Sequence, residues 1–148
     1  MKFSDFNGSG LEYLLALKNK EIAISPMSQT VPMQVNDARE GMIEYLVTPD
    51  ERHTNVQGAI HGGFAAVVMD TITGGAVHTT LPKGVSFATL DLNVKMIRPI
   101  QTNTTYKAIG EVINTGRNVL TSEGRIVDEN GKVFAYGSAT LMVTKRPE

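Results

Sequence analysis

The central element of the fold is predicted by one stretch of the sequence, His61-Gly-Gly-Phe-Ala-Ala-Val-Val-Met-Asp70-Thr-Ile-Thr-Gly-Gly-Ala-Val77. It is almost continuously apolar, and its length favours a helix that is buried on most sides over a surface helix. A smaller helix is predicted before it by an amphipathic set of leucines, namely Leu11, Leu14, Leu15 and Leu17. We therefore expect a short N-terminal helix at about 8–19 and a central helix at about 61–80.

Strand patterns lie on both sides of the central helix. One or two strands precede it, with residues 41–47 the clearer case. After it, a half-buried strand ending at Pro99 is predicted by apolar residues that alternate with polar ones, namely Ala88, Leu90, Leu92, Val94 and Met96. Three more strands are predicted at 104–113, 119–127 and 132–144. The linkers between them, 114–118 and 129–131, contain Asn and Gly where hairpin turns need positive φ.

The order of these elements predicts the fold class. A strand, a long buried helix and then a meander of four antiparallel strands indicate an α+β protein. We expect an antiparallel β-sheet wrapped around one long central helix, which is the layout of the hotdog fold. The chain has 148 residues, which fits one domain spanning 1–148 and leaves little room for a second.

Composition excludes several functions. The formal net charge is -1, so the chain as a whole has no electrostatic attraction to nucleic acid. It contains no cysteine, which excludes thiolate nucleophiles and cysteine-based zinc sites. The start, MKFSDFNGSG, lacks the basic-then-apolar order of a signal peptide, and no apolar run is long enough to span a bilayer. We expect a cytoplasmic protein without a nucleic-acid or membrane partner.

Asp70 is the most informative residue, because it is the only charged residue between His61 and Lys83 and lies within the predicted central helix. A carboxylate in an apolar interior is unfavourable unless it is paired, hydrogen-bonded or neutralised. An Asp at such a position more often bonds to neighbouring backbone or faces a wet subunit interface than acts in catalysis. The expected burial and the absence of a cation in the helix nevertheless favour a functional carboxylate.

The pair Gly62-Gly63 lies where the central helix is expected to begin. Free backbone N–H groups at a helix N-terminus favour a developing oxyanion, and glycine allows a substrate carbonyl to approach the backbone. A Gly-Gly pair alone can equally be a tight turn, and a single histidine such as His61 is more often structural. Gly63 and Asp70 are seven residues apart, about two turns and ~10 Å along the axis. One carbonyl therefore cannot contact both within a chain, so the Asp would come from a neighbouring subunit related by a two-fold axis.

Other catalytic classes find little support. There is no G-x-S-x-G nucleophile elbow and no phosphate-binding loop. His53, His61 and His78 do not have the spacing of a metal site, so no metal is expected. Few aromatic residues and no basic stripe argue against RNA binding.

The chain resembles the phenylacetic-acid-degradation (PaaI-type) branch of the hotdog thioesterases. The resemblance rests on the run from Asn55 through Gly58 to His61-Gly62-Gly63, followed by the helix carboxylate and by residues 87–99. It covers about 41–144. It implies an acyl-CoA thioesterase that needs no metal or prosthetic group, binds coenzyme A as part of its substrate, and forms at least a homodimer, commonly a dimer of dimers.

The resemblance also implies roles for individual residues. The Gly62 amide, with Gly63 beside it, would polarise the thioester carbonyl. Asp70 would act as nucleophile or as general base towards water. Asn55 and His61 would line the site, and Thr89, at a position where some members have Ser, would hold the water or the carboxylate.

Two alternatives stay open. A non-catalytic acyl-CoA-binding or sensing module could use the same fold, since fold alone does not fix function. A hotdog hydratase or dehydratase has less support, because the His-Phe-Pro-Gly type of signature associated with that branch is absent.

Overall fold

The computed structural model describes residues 1–147. Its helices are α1 (Gly10–Lys18), α2 (Pro26–Thr30) and α3 (Gly62–His78), and 3₁₀ turns occur at Phe3–Asp5 and Glu51–His53. Its strands are β1 (Met33–Arg39), β2 (Met42–Val47), β3 (Ser86–Met96), β4 (Tyr106–Thr115), β5 (Val119–Val127) and β6 (Val133–Lys145).

The two predicted helices are present as α1 and α3. A capping box starts α1: the Ser9 hydroxyl accepts from the backbone N–H of Glu12, whose carboxylate accepts from the Ser9 N–H. The helix α2 was not predicted. Ser25 caps it and Pro26 occupies its first turn, a start signal that is easy to miss before so short a helix.

The strands form one antiparallel sheet in the order β1-β2-β4-β5-β6-β3. The expected meander of four consecutive strands is wrong, because β3 pairs with β6 and not with β4. Among the four strands that follow α3, only the β4–β5 and β5–β6 connections are hairpins. The longer connection at 97–105 carries the chain from the β3 edge of the sheet to the strand beside β2.

One of the two predicted hairpin turns has the expected backbone. Gly131 has φ +78°, whereas Gly116 is not among the positive-φ residues. In the first hairpin, β4 continues through Thr115 with a bulge between Val112 and Asn114, and the Gly116 N–H donates to the Val119 carbonyl. The bulge inserts one additional residue into β4 beside the turn, and none of residues 114–118 has a positive φ.

The helix α3 is the centre of the core. Its sheet-facing side chains are fully buried, among them Val68, Met69, Ile72 and Ala76. The helix lies so close to the sheet that a Cβ on Gly110 would come within 2.0 Å of the Ile72 carbonyl oxygen. Glycine at this position of β4 therefore sets the distance between sheet and helix.

Candidate active site

Asp70 and Thr89 meet at the open side of α3. The Thr89 hydroxyl donates to Asp70 Oδ1 at 2.9 Å. The expected burial of Asp70 is wrong for the single chain, where the residue is exposed. The reason is its helix face: Met69 and Ile72 point into the sheet, whereas Asp70 points to the gap between β3 and the N-terminal helices.

A β-bulge brings Thr89 to this position. The bulge lies between Thr89 and Asp91 and reverses the alternation of the strand. Leu92 and Val94 pack against the core as expected, whereas Leu90, expected to point inward, is 58% exposed. Thr89 instead of Leu90 therefore faces the helix and its carboxylate.

The first turn of α3 contains a second polar arrangement. His61 is the N-cap residue, and its Nδ1 accepts from the Gly63 N–H at 2.8 Å. This bond places the ring proton on Nε2 when the imidazole is neutral. The Gly62 N–H donates to no atom of residues 1–147. Of the two glycine amides considered from the sequence, Gly62 alone offers a free donor.

Asn55 organises the loop that leads to this turn. Its Oδ1 accepts from the backbone N–H groups of Gln57 at 2.9 Å and Ala59 at 3.2 Å. The loop is fixed to the preceding 3₁₀ turn, because the His61 N–H donates to the His53 carbonyl at 2.8 Å. Asn55 therefore fixes the conformation of the loop before His61 and Gly62. Its side-chain NH₂ group has no hydrogen-bond partner within residues 1–147.

The predicted site residues thus form two groups in one chain. Asn55, His61 and Gly62 lie at or just before the start of α3. Asp70 lies eight residues after Gly62, ~12 Å along the helix axis, and Thr89 of β3 is bonded to it. Asp70 and Thr89 line a cavity of about 900 Å³, but the residues of the first group do not.

The cavity also contains residues that sequence reasoning assigned no function. Its wall includes side chains from α1, α2, β1 and β2 in addition to α3 and β3. Tyr13 of α1 and Tyr45 of β2 are among its lining residues. The alternation of Ile43, Tyr45 and Val47, all buried, is a signal that could have placed Tyr45 on the inner face of the sheet.

His78, at the end of α3, lines the same cavity within a cluster of aromatic rings. Its ring packs against Phe3 at 4.3 Å, Phe87 at 5.4 Å and Tyr13 at 5.7 Å between centroids. Its Nε2 is buried without a hydrogen-bond partner in residues 1–147. Burial lowers the pKa of His78 to about 4, from an ordinary value of 6.5.

This burial predicts acid sensitivity. In the folded protein His78 stays neutral down to about pH 4, whereas in the unfolded chain it gains a proton below pH ~6.5. The free energy of unfolding therefore has its full value above pH ~6.5 and decreases as the pH falls towards 4. The loss amounts to about 3 kcal/mol of unfolding free energy. We expect His78→Phe, which keeps an aromatic ring, to lose less stability between about pH 7 and pH 4 than the wild type. Urea unfolding at both pH values measures this, and equal losses would contradict it.

Comparison with known proteins agrees with this architecture. A family model described as the thioesterase superfamily matches residues 57–135. A protein of Halobacterium salinarum named as an esterase is 36% identical over 100 residues, which are 64% of this chain and 65% of that protein. The chain thus spans slightly less than two thirds of that relative's length.

Two further relatives are similar over a larger share of their length. The human acyl-coenzyme A thioesterase 13 is 28% identical over 104 residues, 70% of this chain and 74% of that protein. The crystal structure of a phenylacetic acid degradation-related protein of Ralstonia eutropha has a TM-score of 0.80 and 26% identity, covering 88% of this chain and 99% of that one.

The fold and the comparisons together define the class of protein. A six-stranded antiparallel sheet around one long helix is the hotdog fold, as predicted. The chain belongs to the thioesterase superfamily, and its resemblance to the phenylacetic-acid-degradation type is confirmed at the family level. Within residues 1–147, no helix is long and apolar enough to cross a membrane.

Proposed function

We propose that the protein is an acyl-CoA thioesterase that hydrolyses acyl- or aroyl-CoA at sites shared between two subunits. The observation that carries the proposal is the arrangement along α3: a hydrogen-bonded carboxylate on an open cavity and a free amide at the helix start. The name of the human relative, an acyl-coenzyme A thioesterase, supports the substrate class.

The chemistry needs two groups. The Gly62 N–H, at the positive end of the α3 dipole, donates to the thioester carbonyl oxygen as negative charge develops on it. The Asp70 carboxylate takes a proton from the attacking water, or attacks the carbonyl carbon itself. In the first route, expulsion of the coenzyme A thiolate leaves the carboxylic acid, and the thiolate takes the proton that Asp70 removed from water. In the second route, expulsion of the thiolate leaves a mixed anhydride on Asp70; water then hydrolyses it to the carboxylic acid and restores the carboxylate, and the thiolate gains a proton from that water. Thr89 orients the carboxylate through its hydrogen bond. No resident cofactor or metal takes part in this scheme.

The β3 edge provides the surface for dimerisation. It pairs with β6 on one side only and ends the sheet. A long unpaired edge is a template for another strand. Large apolar side chains are exposed along it and just beyond, with Leu90 at 58%, Met96 at 56% and Ile97 at 50%. We infer that two copies pair through β3 in an antiparallel, two-fold arrangement.

This pairing would bring the two halves of each site together. Thr89 bonds Asp70 near one end of β3, and the Met96 side chain lies against Gly62 near the other, 3.1 Å from where a Cβ would stand. Antiparallel pairing about Leu92 and Asn93 sets Thr89 beside the partner's Met96, and hence Asp70 near the partner's Gly62. The partner also covers the carboxylate that a single chain leaves exposed.

A second surface suits the further pairing of dimers. Val119 and Met142 are opposite each other on the outer face of the sheet and are 46% and 37% exposed. Tyr136, on the same face of β6, is 42% exposed. We propose that two dimers associate through this face, giving a tetramer.

A thiol-release assay across short, medium, long and aromatic acyl-CoAs tests the proposed activity. We expect hydrolysis of at least one class, unaffected by chelators, because the scheme uses only a carboxylate and an amide. Coenzyme A binding without thiol release from any of them would instead support the non-catalytic sensor.

A further inference from the structure

Both ring nitrogens of His53 are hydrogen-bonded to backbone groups, although the proposed hydrolysis gives this residue no role. Nδ1 accepts from the Asp50 N–H at 2.9 Å, and Nε2 lies 2.9 Å from the Thr30 carbonyl oxygen. A carbonyl can only accept, so in the neutral imidazole the ring hydrogen is on Nε2 and points to Thr30. One tautomer therefore satisfies both bonds. The side chain, only 8% exposed, is held between two backbone groups.

The partner of Nδ1 is the backbone of Asp50 and not its carboxylate. The carboxylate oxygen Oδ1 is 3.4 Å from Nδ1 and already accepts from the Arg52 N–H at 3.0 Å and from Arg52 Nε at 2.9 Å. The bond from the Asp50 N–H to the His53 ring completes a capping box around the 3₁₀ turn Glu51–His53. This arrangement needs a hydrogen-bond acceptor at position 53, and it does not need a charge there.

The same turn carries the loop that leads to α3. The His53 carbonyl accepts from the His61 N–H at 2.8 Å, and the Asn55 N–H donates to the Ala59 carbonyl at 2.8 Å. One antiparallel bridge lies between these two bonds. The loop 53–61 is therefore closed at its base by His53 and ends at the N-cap of α3.

The ring of His53 also packs on the first turn of α3. It lies 5.2 Å from the ring of Phe64 between centroids. Phe64 is 4% exposed, and its N–H donates to the His61 carbonyl at 2.9 Å. His53 thus contacts the start of the helix through its side chain and holds the N-cap residue through its carbonyl.

These contacts determine where the Gly62 N–H points. The residues on either side of this amide are bonded: the His61 N–H to the His53 carbonyl, and the Gly63 N–H to Nδ1 of His61 at 2.8 Å. An oxyanion donor is effective only when it is aimed at the position where the negative charge develops. A misplacement of about 1 Å can reduce a rate by about a hundredfold.

We propose that His53 is a positioning residue for thioester hydrolysis. By accepting from the Asp50 N–H, its ring fixes the 3₁₀ turn, and the turn holds His61 so that the Gly62 amide is aimed at the thioester carbonyl. His53 acts through His61 and does not touch the reacting atoms. The inference rests on the proposed function, because it takes the Gly62 amide as the donor to that carbonyl.

Two substitutions separate the hydrogen bond from the ring. His53→Asn lacks the ring but keeps an acceptor, Oδ1, the same number of bonds from the backbone as Nδ1, whereas His53→Phe keeps a ring against Phe64 and has no acceptor. In thiol-release kinetics, His53→Phe should lose about tenfold or more in kcat with KM within about twofold, because the amide bond to the carbonyl strengthens as charge develops. His53→Asn should retain kcat within about threefold of the wild type. A ring that only fills space predicts the reverse order.

Arg52→Gln is the matched control in the same turn. It removes the ion pair with the Asp50 carboxylate but keeps the bond from the Asp50 N–H to the ring, so kcat should be unchanged. Circular dichroism and thermal unfolding show whether each variant folds. His53→Leu, which also lacks an acceptor, takes the place of His53→Phe if the phenylalanine variant does not fold.

The backbone amide resonance of Gly62 reports its surroundings without turnover. In NMR spectra of the unliganded protein it should shift in His53→Phe and stay close to its wild-type position in His53→Asn. Near-normal kcat without an acceptor at position 53, a loss expressed in KM rather than kcat, or a Gly62 resonance that does not shift would each overturn the inference. Any of these with an active wild type leaves the thioesterase assignment intact. Absence of turnover by the wild type rejects the proposed function, and the Gly62 resonance then decides whether His53 positions that amide.

Discussion

Asp70→Asn should reduce kcat for acyl-CoA hydrolysis by at least about a hundredfold, the usual scale for loss of a general base. The amide cannot accept the proton of the attacking water or serve as nucleophile. It keeps the Oδ1 acceptor for the Thr89 hydroxyl, and position 70 is exposed in the single chain, so the fold should be unchanged. Thiol-release kinetics together with thermal unfolding measure both properties.

A matched substitution separates this effect from a general loss of charge. Asp5→Asn removes an exposed carboxylate from the 3₁₀ turn at the N-terminus, away from the cavity lining, and should leave kcat unchanged. If Asp70→Asn hydrolysed acyl-CoA at a near-normal rate, Asp70 would be structural and the proposed mechanism would be wrong.

Gly62→Pro should also reduce kcat by about a hundredfold or more, the scale for removing one oxyanion donor. Proline removes the N–H and suits the first position of a helix. The preceding residue, His61, already has the extended backbone that proline requires, with φ -61° and ψ 137°. The new side chain meets the flexible end of Met96.

Gly62→Ala is the control for this substitution. It places a Cβ at the same point but keeps the N–H, so most of the activity should survive. Circular dichroism and unfolding curves should show that both variants fold. Equal activity of the proline and alanine variants would show that the Gly62 amide does not contact the reacting carbonyl.

The local parts of this architecture could be predicted from the sequence because they depend on short-range periodicity. The apolar run around Asp70 indicated α3, and alternation indicated the strands. The pairing of β3 with β6 could not be predicted in the same way, because it joins residues far apart in the chain and leaves no local pattern. The bulge at Thr89 was equally hidden, since one additional residue in a strand changes which face every later side chain occupies.

The features of the site divide in the same way, into those that the sequence predicts and those that it does not. The motif indicates Asp70, Thr89 and the start of α3 as candidate site residues, and in the structure a hydrogen bond joins Thr89 to Asp70. The hydrogen bond from the Gly63 N–H to His61 depends on the rotamer of the His61 side chain. The exposure of Asp70 depends on how α3 is rotated about its axis relative to the sheet. Neither can be determined from spacing along the chain.

The central claim is that each site takes its amide from one subunit and its carboxylate from the other. Mixing Asp70→Asn with Gly62→Pro, by co-expression or by refolding together, tests it directly. A mixed dimer then has one site with both defects and one site with neither. Random pairing makes half of the dimers mixed, so thiol release should return to about a quarter of the wild-type rate, although each variant alone is inactive. If the subunits exchange and the mixture stays inactive, each site is built within one chain and the shared-site account is wrong.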